Sequence, residues 1–460
     1  MTGCPRHGLP PKPPARQGRV SLWRYLKLFR QDILSAQPAR LYHAWMAEFK
    51  TPFFRSYMCN DPELVELVLK SRPDEFPKSN RVREGLKPLL GNSVFVTNGA
   101  VWKRQRRIID PAFEGGRLRD SFEAMVAAGH AAVARIDKAA DGTAHEIEVE
   151  ASHAAADVIF RTLFSIPIEH ETASAVFSEF RAHQRSQPVV NIAALLPLPK
   201  WMPRLHRRAT KETAKRIRGL ITELTAARMS QIDAGTAPMD LATKIMTTPD
   251  PVDGKCFDTE EMVDQVAIFF LAGHETSASA LAWALYLVAL YPEWQDRLAA
   301  EARATLGDEI TFSDMKKLPL CRDVFRETLR LYPPVPMMVR EAACPQEFRG
   351  RKVAKGAQVV LSPWHLQRHE RIWERPDEFD PARFATDNGR EGLRRAYMPF
   401  SAGQRVCPGA GFAMIEGPLI LSMLLKSYRF EPVEDRPAVP VAHLTVRGKD
   451  GIWLKITARV

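Results

Sequence analysis

The sequence predicts a mainly α-helical fold with a small β-rich lobe, and three observations carry that expectation. Alanine-rich amphipathic segments dominate from about residue 118 to 235. A further stretch, "MVDQVAIFFLAGHETSASALAWALYLVAL" at 262–290, is apolar on nearly every face. Strand signals are sparse and fall late: "FRGRKVAKGAQVVLSPW", with turn glycines at 350 and 356, and the alternating stretch from 430 to 460. With 45% hydrophobic and 26% charged residues, the composition is that of a folded globular chain.

The elements follow in order. Residues 1–20, "MTGCPRHGLPPKPPARQGRV", are rich in Pro and Arg and predict a flexible leader; no apolar stretch of signal-peptide length is present. "SLWRYLKLFRQDIL" mixes aromatic and basic residues at helical spacing. It suits a membrane surface or packing on its own protein, and the second is the expectation. "DPELVELVLKS" opens with an Asp61 N-cap and Pro62 in the first turn. "NGAVWKRQRRIIDPAF" reads as a helix that stops before Pro111, and the Pro-punctuated "VVNIAALLPLPKWM" as a loop or lid. The helix over 262–290 is interrupted by Gly273, His274, Glu275 and Thr276, with Asp264 near its start, so it predicts a core helix and not a membrane span.

Composition also excludes. Lys plus Arg exceed Asp plus Glu by 65 to 54, a net charge of +11, which favours an acidic partner, a membrane surface or nucleic acid. No nucleic-acid reader motif accompanies that charge, so no nucleic-acid partner is expected. The six cysteines, at 4, 59, 256, 321, 344 and 407, form no CxxC and predict reduced thiols in a cytoplasmic protein. "HETSA" at 274–278 begins like a zinc HExxH but has Ala278 in place of the second histidine. "GAGFAM" at 409–414 lacks the third glycine or alanine of a dinucleotide loop.

"FSAGQRVCPG" at 400–409 crowds one cysteine among Gly403, Arg405, Pro408 and Gly409. Gly403 permits a tight turn, and Gly409 lets backbone approach a flat partner. The helix that follows puts its positive end near the sulfur, which favours a thiolate. A single thiolate with open coordination suits an axial haem ligand. The stretch resembles the haem-binding loop of the cytochrome P450 superfamily, FxxGxRxCxG, with Phe400, Gly403, Arg405, Cys407 and Gly409 at every fixed position.

Other motifs are similar to the family's, in its order. "AGHETS" at 272–277 resembles the oxygen-binding motif. There Ala272 and Gly273 let the helix pass over a porphyrin face, and Glu275 beside Thr276 supplies protons. The competing reading of Thr276 is a hydroxyl bonded back to the Ala272 carbonyl, bending the helix. "ETLR" and "PARF" imply a buried bracing network of Glu327, Arg330 and Arg383. "WKRQR" implies that Trp102 and Arg106, one turn apart, face a haem propionate, with Arg340 and Arg405 as further propionate partners. His274 and His365 read as ordinary histidines.

The resemblance runs from about residue 38 to the end and implies one domain over 21–460, where length alone suggests roughly three. It implies haem b on Cys407, with Phe400 packed against the thiolate side. The implied reaction inserts one oxygen atom from O2 into a C–H bond of a lipophilic small molecule. Electrons are expected from a separate acidic ferredoxin or flavodoxin with its reductase, since no fused flavin or iron–sulfur module follows the haem region. That partner is steered by Lys103, Arg104 and Arg107. A monomer without a transmembrane anchor is expected. Pocket candidates are Phe95, Val96, Phe269, Phe270, Val335, Met337, Met338 and Val339, with the apolar lid. A peroxide-driven hydroxylase and a non-catalytic haem sensor or carrier are the alternatives.

Overall fold

The computed structural model describes residues 8–50, 55–114, 116–186 and 208–459. The apolar stretch at 189–202 lies outside them. Helices longer than two turns are α1 (Leu22–Gln31), α2 (Asn80–Leu90), α3 (Gly99–Phe113), α4 (Phe122–Asp137), α5 (Ile147–Phe164) and α6 (Glu171–Ser186). They continue with α7 (Arg208–Asp233), α8 (Thr259–Leu290), α9 (Pro292–Thr305), α10 (Pro319–Leu331), α11 (Asp387–Arg395) and α12 (Ala410–Ser427).

α8 is the axis of the molecule. Asp258 caps it and Glu261 reaches back to the Asp258 N–H, a reciprocal capping box that fixes where the apolar run begins. It is buried on most of its surface, against α5, α7, α10 and α12, as a helix apolar all round must be. Pro111 lies inside α3, contrary to the expected stop: it sits in the last turn, where its missing N–H removes only one late bond.

The β lobe is larger than expected. β1 (Met46–Lys50) and β2 (Arg55–Cys59) join β4 (Met338–Glu341) and β7 (Gln358–Leu361) in the order β1-β2-β7-β4. The β2–β7 pair is parallel, pairing Ser56 with Gln358 through Cys59 with Leu361. β5 (Gln346–Phe348) and β6 (Arg351–Val353) form the expected hairpin around Gly350. β3 (Asp141–Glu146) joins β8 (Tyr428–Pro432) and β11 (Trp453–Ala458) as β3-β11-β8, while β9 (Pro440–Ala442) pairs with β10 (Val446–Gly448). The sheet carrying β2 and β7 has its own apolar core, with Tyr57, Phe348, Val359, Leu361 and Trp373, separate from the main helical core.

Residues 8–16 do not behave as a free leader. Tyr332 donates to the Pro11 carbonyl at 2.7 Å, Tyr291 to that of Gly8 at 3.1 Å, and Arg16 to that of Ala36 at 2.7 Å. Buried phenol groups that need an acceptor therefore hold this Pro-rich strand on the body.

Candidate functional site

The cysteine loop is wound by two residues with left-handed φ, Ser401 at 64° and Gly403 at 66°. A Cβ on Gly403 would stand 2.1 Å from the carbonyl oxygen of Leu69, so only glycine lets the loop seat there. The Cys407 N–H donates to the Phe400 carbonyl at 2.9 Å, closing the loop, and α12 starts three residues later. Cys407 is solvent-accessible although protein surrounds it on almost every side, so its sulfur looks into an internal space. Burial pushes the thiol up, while the Gly409 N–H and the Arg106 charge pull it down. Among the described residues, no group of three or more His, Cys, Asp or Glu could hold a metal ion.

Across the fold, α8 leaves one stripe accessible. Phe269, Ala272, Gly273, Thr276 and Ser277 are incompletely buried, at the i, i+3, i+4, i+7 spacing of a single helical face. Two details depart from expectation. Gly273 is turned toward α5, where a Cβ would come within 2.3 Å of Ile159, so its smallness serves helix packing. Glu275 and Thr276 do not meet. Thr276 donates to the Ala272 carbonyl at 2.5 Å, and buried Glu275 accepts from Thr445 at 2.7 Å and pairs with Arg447.

A cluster of cations converges beside the cysteine loop. Arg405 lies over the Trp102 ring at 4.7 Å and donates to Asn98 at 2.9 Å. Arg106 donates to the Val406 carbonyl at 2.8 Å and faces Asp110 at 2.7 Å. Arg340 is held by a backbone bridge to Lys78, a residue that no sequence motif marks. Lys78 donates to the Val94 carbonyl at 2.5 Å and stands 5.5 Å from the Trp102 ring centre. Burial, then Arg405, Arg340 and Arg106, hold Lys78 well below the usual lysine range. Burial, then Arg405, brings Arg340 down to about 10. Neither Lys78, Arg340 nor Arg405 has a carboxylate partner among the described residues, and Nε of both Arg340 and Arg405 is buried without a hydrogen bond. Buried, mutually repelling donors of this kind fit a doubly anionic group, as two haem propionates are.

The bracing network is complete. Glu327 and Arg330 are fully buried and bidentate, at 2.7 and 2.8 Å, and Arg383 donates to the same carboxylate at 2.9 Å. The remaining guanidinium donors reach the carbonyls of Gln367, Pro376, Glu378, Glu374 and Arg375. His274 bonds Ser152 at 2.6 Å and His365 bonds Ser362 at 2.8 Å; burial brings both down to about 3, and they are neutral structural histidines.

A sequence profile of the cytochrome P450 family matches residues 42–455. The chain belongs to the cytochrome P450 family. It is similar to cyclooctat-9-en-7-ol 5-monooxygenase of Streptomyces melanosporofaciens, 33% identical over 425 residues, covering 90% of this chain and 87% of that protein. Human cytochrome P450 4X1 is 30% identical over 446 residues, covering 93% and 85%. Rat cytochrome P450 4A14 is 28% identical over 431 residues, covering 90% and 82%. This P450 is thus an oxidoreductase, a monooxygenase whose family binds haem iron through a cysteine thiolate. Among its described helices, only α12 is long and apolar enough to cross a membrane, and 61% of that stretch is buried in the body.

Other expectations need correction. Val96 and Phe270 are buried, the latter among Phe160, Phe164 and Phe180, and do not face the internal space. The basic run on α3 is not free: Lys103 pairs with Asp74 at 3.2 Å, Arg104 with Glu261 at 2.6 Å, and Arg107 with Asp250 at 2.6 Å. Partner carboxylates from distant segments could not be read from the run itself.

Proposed function

We propose that this P450 hydroxylates a lipophilic small molecule at a C–H bond, with Cys407 as the iron ligand and with electrons from a separate acidic ferredoxin or flavodoxin. The observation that carries the substrate reading is the accessible set Phe95, Phe269, Ala272, Val335, Met337 and Val339, apolar throughout. The relative named for acting on cyclooctat-9-en-7-ol agrees with such a substrate.

The haem, when bound, supplies dioxygen binding and its two-electron reduction. Gly409 and Arg106 stabilise the negative sulfur of Cys407. Phe400 fixes the loop through its carbonyl, and Arg405 holds Trp102 against the site. Lys78, Arg106, Arg340 and Arg405 receive the propionates. The network of Glu327, Arg330 and Arg383 fixes the backbone around residues 374–380. Thr276, on the accessible stripe, orients a hydrogen bond toward the reacting face once its hydroxyl leaves the Ala272 carbonyl. Glu275, behind it, is held by Thr445 and Arg447 and reaches toward the site only after releasing Arg447. With the run on α3 neutralised, partner steering rests on the overall charge of +11.

The test is a ferric absorbance titration with fatty acids, steroids, terpenes and small aromatics, followed by turnover with each class of electron donor. A high-spin shift with one class, and O2-dependent product that falls with salt, is the expected result. Product from peroxide alone at comparable rates overturns the donor assignment. A Cys407→Ala variant that keeps a thiolate-type spectrum overturns the ligand assignment.

A further inference from the structure

Asp264 is buried on α8, ahead of its accessible stripe, and takes no part in the site. A buried carboxylate is costly unless it is paired and hydrogen-bonded, so its partners are informative. One oxygen accepts from the Asn92 N–H at 2.7 Å and the other from Arg218 of α7 at 2.7 Å. The same guanidinium donates to the Leu89 carbonyl, in the last turn of α2, at 3.2 Å. Gly91 ends that helix with φ 50° and ψ −123°, a conformation that favours glycine. A Cβ there would stand 2.0 Å from the carboxylate. The carboxylate is thus seated on a bare glycine, and α2, α7 and α8 meet at one group.

The segment that leaves this junction bears Phe95. The N–H and carbonyl groups of Asn92 and Val94 all end on side chains from other parts of the chain. Asp264 takes the Asn92 N–H, and Gln105 of α3 donates to the Asn92 carbonyl at 2.7 Å. Gln265 accepts from the Val94 N–H at 2.8 Å, and Lys78 donates to the Val94 carbonyl. A loop without such partners is mobile; four side chains fix this one. Gln265 also shares the face of Phe269, Ala272 and Thr276, at i, i+4, i+7 and i+11. Val94 is therefore anchored one turn from the accessible stripe. Val94 and Val96 are buried, and Phe95 between them is left 41% exposed.

We infer that Asp264 and Gln265 are specificity-determining positioning residues, which set where Phe95 stands beside the stripe by fixing residues 92–97 on α8. The inference rests on the reading of Phe95 and Phe269 as substrate-facing. Phe95 is the bulkiest side chain of the segment, so its place limits how large a molecule can approach the stripe. Arg218 balances Asp264 and ties that place to α7. A carboxylate that only closed the end of α2 would not need its neighbour Gln265 to hold the same segment two residues further on.

The test uses the full-length, haem-loaded protein and two probes that bind ferric haem iron through nitrogen, imidazole and the bulkier 4-phenylimidazole, titrated by absorbance. Phe95→Ala should raise the affinity for the bulkier probe relative to imidazole. Asp264→Ala and Gln265→Met should shift that ratio the same way, by roughly threefold or more, as residues that share a network do. In a Phe95→Ala background neither change should move the ratio further, a result that general destabilisation would not give. Equal shifts with and without the Phe95 ring overturn the inference, as does an unchanged ratio in both single variants. If Asp264→Ala does not retain haem, Gln265→Met decides alone, since it removes no charge. A Phe95→Ala ratio equal to that of the parent overturns the substrate-facing reading of Phe95, and the inference with it.

Discussion

Two clusters of buried charge in this P450 follow opposite rules. Around Glu327, Arg330 and Arg383 the carboxylate is shared by both guanidinium groups, and the spare donors end on backbone carbonyls. Around Lys78, Arg340 and Arg405 there are cations only, two with an unpartnered Nε. The first cluster is closed and belongs to the fold. The second is open: its cations repel one another and have no carboxylate partner among the described residues. Burial alone does not distinguish structure from function; the balance of charge does.

The largest effect expected is at the closed cluster. Glu327→Gln leaves two buried guanidinium groups uncompensated, and should destabilise the protein by about 3–5 kcal/mol. Thermal melting and the haem-to-protein ratio of the purified variant measure this, and a near-normal melt would erase the distinction. At the open cluster the sign reverses for the haem-free protein. Arg340→Leu or Arg405→Leu should leave its melting temperature unchanged or higher. The same changes should weaken haem retention by about 1.5–3 kcal/mol each. Haem transfer to a scavenging globin reads the second quantity.

Those two outcomes bear on what the sequence discloses. Glu327 and Arg330 are legible because i,i+3 spacing keeps them on one helix face, and Arg383 because its motif is fixed. Lys78 is not legible. It reaches the cluster through a backbone bridge to Arg340, far along the chain, and nothing in "FPKSN" marks it. β1, β2 and β3 are missed for the same reason: each is short, and β2 finds its parallel partner only in β7. At Gly273 the residue is legible but its neighbour, Ile159, is not.

A third buried group is a single carboxyl, and its effect is read only through pH. Glu416 on α12 accepts from Ser277 at 3.1 Å, its other oxygen is unpartnered, and burial pushes it up to about 8. Unfolded, it titrates near 4.5. Between those values the folded chain holds a proton that the unfolded chain has lost. The stabilisation is therefore complete below about 4.5 and disappears as pH rises through about 8. Glu416→Gln should remove up to about 1.4 kcal/mol per pH unit of that decline. Glu148, pushed up to about 7, acts in the same direction in both proteins and cancels from the comparison. Denaturant titrations of the two proteins across this range decide it; parallel pH curves would mean that Glu416 is ionised in the folded state.

The smallest effect is the control. Lys103→Ala removes an exposed pair with Asp74 and should change stability by about 0–1 kcal/mol. It should also leave haem retention untouched. A loss comparable to that of Arg405→Leu would show that α3 has open charge after all.

The glycine at 403 has a consequence in time as well as in space. The mould for the cysteine loop, the carbonyl of Leu69, belongs to the early part of the chain. At about 5–20 residues per second, Leu69 leaves the ribosome roughly 17–67 s before Gly403 does. For most of that interval Lys78 and Trp102 exist while the sulfur does not. Cys407 is therefore nearly the last part of the candidate site to be synthesised, and a haem held by its sulfur would be captured only once most of the chain has been made.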